Sequence, residues 1–239
     1  MIHETKIGKK TIFFDDERHR FWDETGKTIQ SVTTFTRIID KSDALLGWAT
    51  RLTAEYLLAK LANGEQITEI DIREAVQEHR RQKEEAADIG TQIHEWVSLW
   101  IKGEKPPIPE DERIQNGINA FLTFQKEYGL KWIESERIVY SEKHEYAGIL
   151  DAIAKKSKEL ILVDFKSSNA IYPEHALQTA GYQIAFEEMT QKKIAHRLLI
   201  RFGKNDGTFE FRLLKENEKD AAAFLACVHL KRRLQELER

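Results

Sequence analysis

Residues 159–166, ELILVDFK, constrain the fold more than any other stretch of the chain. Side chains alternate across a strand. Ile161, Val163 and Phe165 therefore form one row, while Leu160 and Leu162 share the other with Asp164 and Lys166. Both rows are apolar over most of their length, so the strand is covered on both faces. That calls for a sheet with helices on each side. The C-terminal end breaks the pattern, because Asp and Lys seldom sit in such a setting without a partner. A salt bridge closing the strand end is one reading, and a reactive site is the other.

The neighbouring pattern supplies the rest of the sheet. WIESERIVY (132–140) and YAGILDAIA (146–154) read as two preceding strands, and AHRLLIRF (195–202) and GTFEFRLL (207–214) as two following ones. Helices are expected over 174–190 and over 217–237, the latter with Asn217 as N-cap and Asp220 in its first turn. Upstream, residues 11–37 read as a β-hairpin turning at Glu24-Thr25-Gly26-Lys27. Helical periodicity covers 43–62, 69–102 and 110–128, with Pro106, Pro107 and Pro109 marking a loop before the last of these. The order predicts an α/β fold: a mixed central sheet flanked by helices, with an N-terminal helical region. We expect one domain over 1–239, made of a hairpin and helical cap in 1–89 and a catalytic core in 90–239.

Composition narrows the class. The 239 residues are 41% hydrophobic and 32% charged, as in a globular chain with a sizeable core. No stretch approaches a membrane span, the N-terminus lacks a secretion signal, and a cytoplasmic setting is expected. The single cysteine, Cys227, excludes an internal disulfide and a four-cysteine zinc or iron–sulfur site. A formal net charge of -3 argues against a uniformly basic nucleic-acid coat. Three short basic runs remain as local patches or ordinary solvated faces: Arg80, Arg81 and Lys83; Lys155, Lys156 and Lys158; Lys231, Arg232 and Arg233. Gly26-Lys27-Thr28 is not a phosphate-binding loop, since its upstream glycine position holds Phe21. His175, His196 and His229 make no metal-site spacing.

Asp151 stands 13 residues before Asp164, and a tight hairpin between their strands brings the two together. Adjacent carboxylates repel unless a cation lies between them. A divalent metal is such a cation, and Lys166 beside it is placed to orient or deprotonate a water, an arrangement suited to phosphodiester hydrolysis.

YAGILD followed by LVDFK resembles the signature of the PD-(D/E)XK nuclease superfamily, in its RecB-type and phage-type exonuclease branch. GTQIH (90–94) resembles the upstream histidine motif of that branch, and Gln178 with Tyr182 matches its Gln-x-x-x-Tyr motif. SVTTFTRIID and LLGWA resemble the N-terminal region of phage-type exonucleases, and the chain is similar to mitochondrial genome-maintenance exonucleases. The resemblance implies a restriction-endonuclease-like core. It implies Asp151 and Asp164 as metal ligands, the main-chain carbonyl of Phe165 as a third oxygen and His94 as an additional ligand. It implies Lys166 as the catalytic lysine, Gln178 and Tyr182 as residues that position DNA, and Glu136 as a further acid on the preceding strand. Where some relatives carry an acid four residues after the histidine, this chain has Ser98.

The expected function is a metal-dependent DNA exonuclease using Mg²⁺ or Mn²⁺ on single-stranded ends, in recombination, repair or genome processing. A structure-specific or nicking endonuclease is the alternative enzyme. A nuclease-derived binding module is the non-enzymatic one, though loss of Asp164 or Lys166 would then be expected. The helical segment 41–81 is expected to restrict entry to a strand end. Its Trp48 and Tyr56 read either as platforms for unpaired bases or as core residues of a helical bundle.

Overall fold

The structure is a computed structural model that describes residues 1–238. The chain forms two compact units, residues 1–38 with 93–239 and residues 39–92. This boundary differs from the expected division at residue 89, because the N-terminal strands belong with the core.

A nine-stranded mixed sheet organises the larger unit. β1 (Ile2–Ile7), β2 (Lys10–Asp15), β3 (Arg20–Asp23) and β4 (Thr28–Ser31) form an antiparallel meander. The β3–β4 turn lies at the expected residues. Asp23 Oδ1 accepts from the amides of Thr25 and Lys27, and Gly26 supplies the positive φ of +82°. The expected hairpin does not extend to residue 37. Ser31 caps a short helix, α1 (Val32–Thr36), its Oγ accepting from Thr34 N. The cap outweighs the strand preference of a Val-Thr-Thr run.

β5 (Lys131–Ser141), β6 (Tyr146–Lys156), β7 (Glu159–Lys166), β8 (Ile194–Phe202) and β9 (Phe209–Leu214) complete the sheet close to the expected bounds. β5 runs antiparallel along one edge of β6. The other edge is shared: β4 pairs in parallel at Tyr146 and Ala147, and β7 pairs antiparallel from Ala152 onward. Residues 148–151 lie between these two partners.

Helices cover both faces of the sheet. α5 (Pro173–Thr190) and α6 (Asn217–Leu237) pack on one side with α1, burying Phe35, Leu162, Ala180, Phe186, Phe224 and Val228. Gly181 is required there, since a Cβ would lie 2.7 Å from the Phe224 ring. Asn217 is the first residue of α6 rather than its cap. Its Oδ1 accepts from Arg197 Nε and its amide donates to Ala195 O, so the side chain serves β8 instead of its own helix. Arg197 itself is fully buried. It is satisfied by Ala176 O, Thr179, Asn217 and an ion pair to Asp220 at 2.5 Å, which ties β8 to both helices.

On the opposite face, α4 (Glu112–Tyr128) and the last turns of α3 (Glu69–Ile101) meet the sheet through aromatic rings. Phe121 stands edge-on to Trp96, Trp100, Phe165 and Phe202.

The smaller unit is an antiparallel-type helix pair, α2 (Ser42–Ala62) and the first part of α3. Lys60 pairs with Asp71 at 2.7 Å, and Asp71 also accepts from the amide and hydroxyl of Thr68. Tyr56 donates to Glu74, and Trp48 stands edge-on to His79. Among the described residues no helix is long and apolar enough to cross a membrane.

Candidate active site

The β6–β7 hairpin turns on Ser157, which adopts φ +55°, and its ladder runs from Lys156 opposite Glu159 to Ala152 opposite Val163. One further step in this register sets Asp151 across from Asp164 (151 + 164 = 152 + 163). Directly opposed side chains share a face, and like charges in that relation are unfavourable. The next amide of β7, Phe165 N, donates to Asp151 Oδ2 at 2.6 Å. The carboxylate thus ends the ladder.

Asp164 is completely buried, and neither of its oxygens accepts a well-aligned hydrogen bond among the described residues. The Lys166 ammonium lies 2.7 Å from Oδ2 as an ion partner. Burial pushes the Asp164 carboxyl up to about 6; Lys166 opposes the shift, and the nearby Asp151 adds to it. Asp151 is also raised by burial, against the pull of Lys166 and the Phe165 amide. The pair therefore carries more negative charge than its surroundings stabilise.

Lys166 and Asp164 point from β7 toward α5. There the ammonium donates to Gln178 Oε1 at 3.2 Å, and Gln178 Nε2 donates to Tyr182 Oη at 2.9 Å. Spacing of four puts Gln178 and Tyr182 on one helix face, as the sequence indicated. Both polar atoms of Gln178 are engaged inside the protein. Tyr182 is only 5% exposed, and its ring lies against the β6 backbone. A Cβ at Gly148 would stand 2.5 Å from that ring, which explains the glycine in YAGILD.

His94 projects from the part of α3 that belongs to the larger unit. Its Nδ1 is 3.8 Å from Asp151 Oδ2, and its ring stands edge-on to Phe165. Burial, reinforced by the Lys166 charge, lowers the imidazole to about 4. The ring is neutral at pH 7 and retains a lone pair for a metal. Ser98, one turn further on, is buried and bonds Ser135 on β5.

Glu136, the further acid implied by the family resemblance, lies on β5 in a backbone conformation that the strand pattern does not reveal. The β5–β6 register places it level with Asp151 (136 + 151 = 135 + 152), so Glu136, Asp151 and Asp164 fall on one line across three strands. Glu136 has φ +53°, which is costly for a residue with a Cβ. The kink reverses alternation: Ser135 reaches α3, whereas Arg137, two residues on, lies over the Phe186 ring of α5. Burial, with the Asp151 charge, raises Glu136 to about 7.

The donor set fits a hard divalent cation. Asp164 brings two buried oxygens of which only Oδ2 has a partner, the Lys166 ammonium, Asp151 keeps Oδ1 outside its bond to Phe165, and burial keeps His94 in its neutral form. The fit is that of an open site. Among the described residues no three His, Cys, Asp or Glu side chains form a preformed metal cluster. Main-chain, water and phosphate oxygens are the natural remainder of such a shell.

A family model for the PD-(D/E)XK nuclease superfamily matches residues 56–238. A comparison with curated proteins returned no match. Among solved structures, a protein from Eubacterium rectale assigned as an exonuclease is 11% identical, over 59% of this chain and 64% of that one, with a TM-score of 0.42. This chain therefore spans 64% of that protein's length. The alkaline exonuclease LHK-Exo from Laribacter hongkongensis is 14% identical, over 64% and 91% of the two chains, with a TM-score of 0.32. LHK-Exo in complex with dAMP gives 15% identity, 62% and 85% coverage, and a TM-score of 0.31.

Proposed function

The chain belongs to the PD-(D/E)XK nuclease superfamily, and we propose that it is a metal-dependent DNA exonuclease acting on single-stranded ends. One observation carries the reading. Two carboxylates fall opposite each other at the end of the β6–β7 register, one of them fully buried with the Lys166 ammonium as the sole partner of its oxygens among the described residues. One ammonium, Lys166, faces two carboxylates there, which leaves room for a further cation.

When bound there, Mg²⁺ or Mn²⁺ supplies charge stabilisation at the phosphate and an acidified water. Asp151 and Asp164 would hold the cation, with the main-chain carbonyl of Phe165 and with His94 as further donors. The Phe165 amide fixes one oxygen of Asp151 and leaves the other to the metal. Lys166 would orient the attacking water and, only in its neutral form, take the water's proton. Glu136 contributes a further carboxylate on the same side. We assign Gln178 to holding Lys166, and Tyr182, which accepts from Gln178, keeps its own hydroxyl proton for a phosphate oxygen. Recombination, repair or genome processing is the setting such an activity suits.

The test is digestion of end-labelled linear and covalently closed circular DNA with Mg²⁺, with Mn²⁺ and with chelator. Metal-dependent loss of linear single strands with sparing of circles is the expected result. Equal rates on both forms identify an endonuclease, and binding without cleavage identifies a non-enzymatic module.

A further inference from the structure

The three basic runs of the sequence have different fates in the fold. Arg81 pairs with Glu78 at 2.6 Å. Arg232 donates to the carbonyls of His144 and Glu145 and lies over the Phe35 ring, while Arg233 pairs with Glu236. These charges are engaged in holding helices and turns. Arg80, Lys83 and Lys231 have no ion pair within 4 Å among the described residues, and in the run Lys155, Lys156 and Lys158 this holds for every member.

The topology enlarges this run into a patch. Lys155 is directly opposite Lys131 in the β5–β6 register, and like charges in that relation repel. Lys192 precedes β8, whose first residue, Ile194, pairs with Leu160 at the same end of the sheet. Five lysines therefore gather where β5 begins, β6 turns into β7 and β8 begins. Lys131, Lys156, Lys158 and Lys192 are exposed. Of the acids nearby, Glu187 holds Lys193, whereas Glu159, directly opposite Lys156 in the β6–β7 register and 3.8 Å from His196, offsets one of the five charges. Asp164 lies five residues along β7 from this end, which is about 17 Å at ~3.3 Å per residue.

We propose that this lysine cluster is a second DNA contact, gripping backbone phosphates a few nucleotides away from the scissile bond. The proposal rests on the DNA-nuclease reading above. Its logic is one of charge. A chain with a net charge of -3 gains little non-specific attraction for a polyanion from its overall field. Its grip must come from a local excess of cations, and in this cluster the five lysines outnumber the one facing carboxylate, Glu159, so a phosphate relieves their repulsion.

The experiment compares the wild type with Lys155→Ala/Lys156→Ala/Lys158→Ala on a dinucleotide and on a 20-nucleotide strand, at several salt concentrations. A dinucleotide has one phosphodiester, which the active site occupies, so no phosphate remains for the lysines. The variant is expected to cleave the dinucleotide at the wild-type rate. On the longer strand KM should rise about tenfold with kcat unchanged. The slope of log(kcat/KM) against log[salt] should become shallower by about 2, from ~0.7 per single-strand phosphate contact. The triple Lys→Arg variant should behave as wild type. Unchanged KM and salt slope on the long strand overturn the proposal. If neither protein cleaves any DNA, the nuclease reading fails, and anisotropy of a labelled 20-mer then decides the lysine contact alone: weaker binding by the triple alanine variant supports it, and equal binding overturns it. Loss of binding to anionic vesicles with DNA binding intact would also overturn it in favour of a membrane surface.

Discussion

Asp151 on β6 accepts the main-chain amide of Phe165 on β7, 2.6 Å away, at the point where the two strands stop pairing. The side chain of one strand thereby fixes the backbone of the other beside Asp164. This bond makes the site a property of the hairpin rather than of loops. It also forces two carboxylates into one register position.

That crowding has a measurable consequence. Asp164→Asn is expected to abolish cleavage, with DNA binding largely intact, while making the metal-free protein more stable. The amide removes a buried charge whose protonated form the fold favours. The gain is on the order of 1 kcal/mol, since the loss of the Lys166 partner offsets part of it. In chelator the variant should melt about 2–4 °C above the wild type. Saturating Mn²⁺ should raise the wild type alone. A variant that melts lower than wild type without metal would show that Asp164 is a structural ion partner of Lys166.

Much of this geometry was legible before any coordinates. The double-sided apolar row of residues 159–166 announced a covered strand, and the short spacing to Asp151 announced a hairpin. The rest depends on contacts that no local pattern encodes. The run Val32-Thr33-Thr34 looks like strand, and a single hydroxyl, Ser31 Oγ, makes it helix. Asn217 has the chemistry of a cap, but Arg197 from a strand 20 residues earlier claims its oxygen. Glu136 reads as one more residue of an alternating strand, and only the backbone discloses its reversed φ. β1 escaped notice because its residues are mostly exposed and polar at the edge of the sheet.

Gly148→Ala tests the coupling between fold and site. The added Cβ meets the Tyr182 ring at 2.5 Å, and a ring wedged between helix and sheet yields less than a flexible tip. A loss of about 1–3 kcal/mol is expected. Tyr182→Ala removes the obstacle, so in that background the glycine substitution should cost much less. Additive melting shifts in the double-mutant cycle would show that the two residues are not in contact in solution.

In the smaller unit, acid should weaken one specific tie. Lys60, and then the hydroxyl and amide of Thr68, hold the Asp71 carboxyl below its usual range. A depressed carboxylate stabilises the folded state above its unfolded pKa, near 3.9, and loses that contribution as pH falls toward the folded value. Asp71→Asn should therefore speed amide exchange in residues 42–75 at pH 7, with the difference from wild type shrinking below about pH 4. A difference independent of pH would assign the effect to packing.

His94 is the donor most open to separate testing, because it lies outside the strand pair. His94→Ala should raise the metal concentration for half-maximal cleavage about tenfold and shift the preference from Mn²⁺ toward Mg²⁺, which favours oxygen ligands. Half-maximal concentrations unchanged for both metals would remove the imidazole from the metal shell and leave it as a ring against Phe165.

Gln178 separates two meanings of the Gln-x-x-x-Tyr pair. A DNA contact would lose binding when truncated, so KM would rise while kcat held. The structure gives its carbonyl oxygen to Lys166 and one amide hydrogen to Tyr182, so both ends of the side chain are tied to the site's own residues. Gln178→Ala is therefore expected to lower kcat by about 10–100-fold with KM within about twofold, because it loosens the lysine rather than the strand. Gln178→Glu keeps an acceptor for Lys166 and replaces the donor to Tyr182 with a second acceptor. It should recover part of the rate if the lysine bond dominates. A rise in KM with unchanged kcat for Gln178→Ala would return the residue to the DNA.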